Sequence, residues 1–213
     1  MQTLDDLDAQ NRPIEHDASD VSARPRHHTG VEAREFGGVL WMTGLSGAGK
    51  STLAVALKAR LEVDRCLVQI LDGDALRTGL NEGLGFNTAD RTENIRRTAE
   101  VAALFKQAGF VVICALISPS NAHRQLARTI VGDRFFEIHI DSSLDVCESR
   151  DPKGLYAKAR AGQIPEFTGI SSAYETPARP DATIDTAHLT IDDSVEKLLS
   201  FVHSRIELRR VER

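Results

Sequence analysis

The chain is poor in the features that would staple it together or fix it to a membrane or a polyanion. Its 213 residues hold three cysteines. Cys66, Cys114 and Cys147 are far apart and make no Cys-x-x-Cys pair, which argues against a disulfide framework or a thiolate metal site. Cys66 and Cys114 stand in apolar runs and read as core thiols. The longest apolar run, Phe110 to Ile117, is far too short to span a bilayer. Net positive charge is also missing: the balance of -5 argues against a protein built to grip nucleic-acid backbone. Any anionic ligand must be caught by a local cluster of basic groups. The acidic, polar N-terminus shows no apolar signal-peptide segment, so the expected location is the cytoplasm. No internal repeat or long low-complexity tract is present.

What is there divides into two parts. Residues 1–35 are polar and aperiodic and read as a mobile tail. Its His27-His28 pair has no acidic or cysteine partner at ligand spacing. Residues 36–213 alternate short apolar runs with helical patterns. "GVLWMTG", "CLVQILDGD", "FVVICALIS", "FFEIHID" and "DATIDT" read as strands. "KSTLAVALKARLEV", "TADRTENIRRTAEVAALFKQAG", "LDVCESR" and "SVEKLLSFVHSRIEL" read as helices, the second with Gly109 just past its end. Continuously apolar strands between helices predict a parallel sheet covered on both faces, hence one α/β domain. The polar, Pro- and Gly-punctuated stretch at about 151–169 reads as an inserted lid.

The strongest local signal is "GLSGAGKST", Gly44, Leu45, Ser46, Gly47, Ala48, Gly49, Lys50, Ser51 and Thr52. It fits G-x-x-x-x-G-K-[ST] between a strand and a helix, the context a phosphate-binding P-loop requires. Glycines let the backbone approach closely, and the loop amides and helix N-terminus face the phosphates. Lys50 is expected to reach the β- and γ-phosphates of ATP, and Ser51 to ligate Mg²⁺. The predicted fold is therefore the three-layer P-loop NTPase fold. No Asn-Lys-x-Asp occurs, so the usual determinant of a GTPase is missing. The chain is short for a motor. A Lys- and Arg-rich lid suits a small-molecule kinase that must exclude water.

In open α/β sheets ligands bind outside the carboxyl ends of the strands. The end of "FVVICALIS" offers Ser118 where many P-loop proteins have an acid. The acid duty then falls on Asp72 and Asp74 at the end of the second strand. Their spacing puts both on one face if the strand continues. The residues leave open which of the two serves as base.

At this point the motifs resemble those of the adenylylsulfate kinases. The likeness runs from about Gly38 to Phe201 and includes "DGDALRTGLN", "DRTENIRR", "ISP", "DPKGLY" and "FTGI". It implies transfer of the ATP γ-phosphoryl to the 3′-hydroxyl of adenylylsulfate, in sulfate activation. It also implies Arg77 and Arg91 as clamps on the phosphosulfate, with Asn94 one turn from Arg91. Phe86 and Phe167 would stack on the acceptor adenine, Arg150 would lie against the ATP adenine, and Lys153 would bring a charge from the lid. Ile117 and Asp72 join the acceptor contacts, and Lys50, Asp74 and Ser118 the catalytic set. Ser118 has no adjacent base and reads as a hydrogen-bonding group rather than a nucleophile. A homodimer, a functional link to ATP sulfurylase and no nucleic-acid partner complete the expectation. One departure stands out. Where the family usually reads "FISPYRADR", this chain has "LISPSNAHR", Leu116 to Arg124, with Asn121 in place of an arginine and His123 in place of an acid. A kinase for another small acceptor and a non-catalytic nucleotide-binding regulator are the rival readings.

Overall fold

In the computed structural model, residues 36–211 are described. The predicted tail and His27-His28 lie outside them. Five parallel strands form one sheet in the order β2-β3-β1-β4-β5: β1 (Gly38–Thr43), β2 (Val68–Asp72), β3 (Val111–Ala115), β4 (Phe135–Asp141) and β5 (Ala182–Asp185). The central strand β1 is buried along its whole length. Successive side chains of a strand point to opposite faces. Accordingly Val39 and Trp41 enter one core with Ile95, Ala99, Val112 and Phe135, while Leu40 and Met42 enter the other with Leu53, Leu57, Ile138 and Leu198. A strand buried on both faces has no polar alternation to show, which is why the apolar runs were legible.

Helices α1 (Lys50–Val63) and α7 (Ile191–Arg205) supply the core around Leu40. The short α2 (Gly73–Leu76) follows β2 directly; α3 (Thr88–Gln107) and α4 (Asn121–Val131) supply the core around Trp41. The capping chemistry is regular: Asn87, Ser120 and Thr190 each accept a backbone N–H from the first turn they open, satisfying donors that a helix start leaves orphaned. Gly109 follows α3 with φ 89°, as its sequence position predicts. The lid region follows α5 (Leu144–Arg150) and carries α6 (Leu155–Arg160).

Two features differ from the sequence reading. Strand β2 does not continue through Asp74. It stops at Asp72, whose carboxylate accepts N–H bonds from Asp74 and Ala75 and so starts α2. Asp72 and Asp74 therefore do not share a strand face. Helix α4 is the second difference: the sequence reading placed no helix there, although Leu126, Ala127, Ile130 and Val131 recur at helical spacing and pack on the core around Trp41. Its inward positions are His123, Arg124, Ala127 and Val131, a helical spacing in which two of the four buried side chains are polar.

Candidate active site

The loop between β1 and α1 folds tightly because three of its positions lack a side chain. A Cβ at Gly44 would collide with the carbonyl oxygen of Ile140, and one at Gly47, where φ is 75°, would lie 2.9 Å from the carbonyl oxygen of Cys147. The loop thus rests on the end of β4 and on α5. Tyr156 of α6 donates its hydroxyl to the Ser46 carbonyl at 2.9 Å. Thr186, just after β5, donates to the Ala48 carbonyl at 2.8 Å. Arg150 donates to the Thr186 carbonyl at 2.6 Å and reaches the Gly47 carbonyl at 3.4 Å. Leu45, which Gly169 approaches closely, completes the collar. Thr52 is in the first turn of α1. Neither Tyr156 nor Thr186 was singled out in the sequence, because each acts on a backbone carbonyl more than a hundred residues away.

Lys50 is buried, and its ammonium donates to the carbonyls of Gly44 at 2.9 Å and Leu45 at 2.7 Å. Burial lowers its pKa from the usual 10.5 to about 8, against the opposing fields of Cys147, Asp72 and Asp74. Ser51 donates its hydroxyl to Asp72 Oδ2 at 2.5 Å. A hydroxyl and a carboxylate oxygen therefore converge at the start of α1. Hard oxygen donors of this kind suit Mg²⁺, which takes one or two carboxylates together with substrate phosphates.

Asp72 is fully engaged: one oxygen holds Ser51 and the other caps α2. Asp74 is exposed and ion-pairs with Lys153 of the lid region. Beyond it Arg77, the residue closing α2, stacks its guanidinium over the Phe86 ring at 4.2 Å, and Arg91 of α3 lies over the same ring at 5.6 Å. Phe86 is 51% exposed. Arg77 donates to the Leu84 carbonyl at 2.7 Å. Arg91 donates to the carbonyls of Phe86 at 2.6 Å and Glu166 at 2.8 Å. Among the described residues no carboxylate lies within ion-pair distance of either arginine. Both pKa values are lowered, first by burial, and Arg91's also by Arg77. Two cations thus share one exposed aromatic ring, with Asp74 and Asp90 near Arg77 and Glu166 near Arg91 opposing the effect of burial from beyond ion-pair distance.

The other residues singled out in the sequence are distributed as follows. Asn94 is buried one turn along from Arg91, and its Oδ1 has no partner. Phe167 is buried edge-on against Tyr156, with ring centroids 5.1 Å apart, and is not paired with Phe86. Ser118 is buried with φ 46°, a strained conformation for a side chain of this type. Its hydroxyl accepts the Trp41 indole N–H at 2.9 Å and its carbonyl accepts Arg124 at 3.0 Å. The Ile117 carbonyl accepts Thr43 Oγ1 at 2.6 Å, with the Tyr174 hydroxyl 3.0 Å from the same threonine oxygen. The strained turn is thereby tied to β1. Arg96 and Arg97, left without a role in the sequence, both pair with Glu93, and Arg97 also donates to the Leu80 carbonyl at 2.9 Å.

A P-loop lysine and serine at the carboxyl end of a parallel sheet, an acid at the end of the next strand and a covering segment with its own lysine define a P-loop kinase. The particular family follows from comparison with known proteins. The adenylylsulphate kinase family model matches residues 36–185, and the chain belongs to that family. It is 56% identical over 164 residues to an adenylyl-sulfate kinase of Paraburkholderia xenovorans, covering 77% of this chain and 92% of the relative. It is similar to the Mycobacterium tuberculosis APS kinase solved with AMPPNP and APS. That match has a TM-score of 0.77 and 45% identity, covering 79% of this chain and 98% of the other. It is also similar to a hexameric APS kinase from Thiobacillus denitrificans, at TM-score 0.62 and 35% identity, over 82% of this chain and 30% of the other.

Proposed function

We propose that this protein transfers the γ-phosphoryl group of ATP to the 3′-hydroxyl of adenylylsulfate, giving ADP and 3′-phosphoadenylylsulfate. The observation that carries the reading is the pair of arginines about Phe86, which make no ion pair among the described residues and continue directly from the acids beside the P-loop. An acceptor with an aromatic base and an anionic phosphosulfate suits that cluster. Arginine forks match sulfate and phosphate oxygens, and the half-exposed Phe86 ring suits stacking with a base plane.

The ATP phosphates lie in the loop amides of 44–52, with Lys50 turning from its own loop carbonyls to the β,γ-oxygens. Arg150, held on Thr186, offers its plane to the ATP adenine. Ser51 and Asp72 would hold Mg²⁺, which supplies neutralisation of charge between the β- and γ-phosphates. Asp74 takes the acid–base role, because it is exposed beside Lys153 while Asp72 is held to Ser51 on the metal side. Its carboxylate receives the proton of the 3′-hydroxyl as the new P–O bond forms and the bond to the ADP oxygen breaks. Lys153 balances the charge on Asp74 and on the transferred group. Asn94 offers a free acceptor oxygen below Arg91, and Ile117, Ser118 and Phe167 line the acceptor's far side. Such a transfer depends chiefly on positioning and charge.

The domain is residues 36–213, with 151–169 as its lid. It acts as a homodimer in the cytoplasm and takes its acceptor from a reaction that adenylylates sulfate, as ATP sulfurylase does. No helix among the described residues is long and apolar enough to cross a membrane. Light scattering of the purified protein tests the dimer. ADP release from Mg-ATP with and without adenylylsulfate, with the product weighed by mass spectrometry, tests the reaction. Strong stimulation with one phosphoryl added to the acceptor is expected. ATP binding without stimulation would refute the acceptor.

A further inference from the structure

The turn in which this chain departs from its family is not a loose loop. Ser120 caps α4, its Oγ accepting the backbone N–H of His123 at 3.3 Å. The same Oγ lies 2.8 Å from His123 Nδ1. The other ring nitrogen, Nε2, lies 3.4 Å from Thr92 Oγ1 on α3. Thr92 Oγ1 also makes a 2.8 Å bond to the Thr88 carbonyl.

Counting protons fixes every direction. A carbonyl only accepts, so the Thr92 hydroxyl proton goes to Thr88. Thr92 Oγ1 is then an acceptor toward His123, and Nε2 must carry the ring proton. In a neutral imidazole Nδ1 is then the acceptor, and the Ser120 hydroxyl donates to it. The chain of bonds runs Ser120 to His123 to Thr92 to Thr88, with no donor left over. The surroundings keep the ring neutral. Burial lowers the His123 pKa, as do Arg91 on α3 and Arg124 on its own helix, while Glu175 opposes them. Glu175 is itself occupied, accepting the Asn121 N–H at 2.7 Å.

We infer that His123 is a positioning residue for the acceptor, locking the first turn of α3, which carries Arg91, to the strained turn at Ser118 through one fixed tautomer of its ring. The inference rests on the reading of Arg91 as an acceptor clamp. Thr92 adjoins Arg91 in the chain, and Ser120 lies two residues past Ser118, so the ring spans the two walls between which the acceptor binds.

Kinetics of His123→Ala, His123→Gln, Thr92→Val and the Ala/Val double variant test this. His123→Ala and Thr92→Val should each raise the acceptor KM by about threefold to tenfold, the range of one lost hydrogen bond, with kcat and the ATP KM nearly unchanged. The double variant should be no worse than either single one, since both break the same link. His123→Gln keeps an N–H donor in reach of Thr92 and should recover most of the loss. An unchanged acceptor KM in His123→Ala, additive losses, or a defect in ATP KM and kcat that Gln does not rescue would overturn the inference. Nitrogen-15 NMR of the imidazole in the substrate-free wild-type protein should show the Nε2–H form, and an Nδ1–H form would overturn it too. Because the tautomer is read without substrate, its failure is distinct from a wild-type enzyme that adenylylsulfate does not stimulate, which would refute the acceptor itself.

Discussion

Lys50 makes the phosphate loop sensitive to protons in a measurable way. Its ammonium is taken out of water and held by two carbonyls, and its pKa falls from 10.5 to about 8. That drop corresponds to about 3 kcal/mol of differential free energy between the charged and neutral forms. The sign is unfavourable to the folded chain. A lowered lysine pKa means the folded state resists protonation, so the penalty is fully present below about pH 8 and disappears above the unfolded value of 10.5. Nucleotide phosphates reverse this by giving the ammonium a counter-charge. Binding therefore raises the pKa and takes up a proton. Calorimetric titration with Mg-AMPPNP, in two buffers of different ionisation enthalpy, should show uptake of about half a proton at pH 8 and close to none at pH 6.5. At pH 8 the nucleotide's own phosphates are already ionised and contribute nothing. Above pH 8 the Kd should weaken toward tenfold per pH unit, the limit for one linked proton. Lys50→Arg should abolish the uptake, because a guanidinium does not titrate in this range. Zero uptake at pH 8 in the wild type, or an equal uptake in the arginine variant, would refute the argument.

Further variants probe the other parts of the site. Asp74→Asn should lower kcat by about 10²- to 10⁴-fold, the usual weight of a general base, with ATP Kd nearly unchanged; near-wild-type turnover would remove Asp74 from the mechanism. Phe86→Ala should raise the acceptor KM by about tenfold, as loss of one stacked base does, and leave the melting temperature alone because the ring is half exposed. Arg124 is 1% exposed and pairs with buried Glu137 at 2.8 Å. Arg124→Met would leave that carboxylate with Arg128 alone, 3.7 Å away, at a cost of about 2–3 kcal/mol, below the full penalty of an unpaired buried charge, visible in urea unfolding, and Arg124→Met with Glu137→Leu should recover much of it.

The parts of this molecule that could be read in advance are those in which one stretch of chain carries its own reason. The phosphate loop is such a stretch: its glycines, lysine and serine are adjacent, and each answers a local demand. The strands were legible because both faces of β1 and β3 are buried, which leaves an unbroken apolar run. Helix α4 was not, because its inner face spends two positions on His123 and Arg124, and their partners Thr92 and Glu137 belong to other elements. The paired acids misled for a related reason. Alternation places Asp72 and Asp74 together only while the chain stays extended, and Asp72 ends the strand by bonding the next two amides. Phe167 illustrates the limit on the acceptor side. Its resemblance to a base-stacking residue comes from "FTGI", yet its ring packs on Tyr156, a contact across the fold that the local motif does not reveal.

Trp41 is the chain's single tryptophan, and its indole N–H is bonded to Ser118. The protein therefore contains one indole fluorophore, which can be excited apart from the two tyrosines and is wired to the turn against which the acceptor is proposed to rest. Its emission carries no background from other indoles. A change in the company kept by the Ser118 hydroxyl alters the polarity felt by the excited ring, so occupancy of the acceptor wall can be followed optically, without a label and on the timescale of a single turnover.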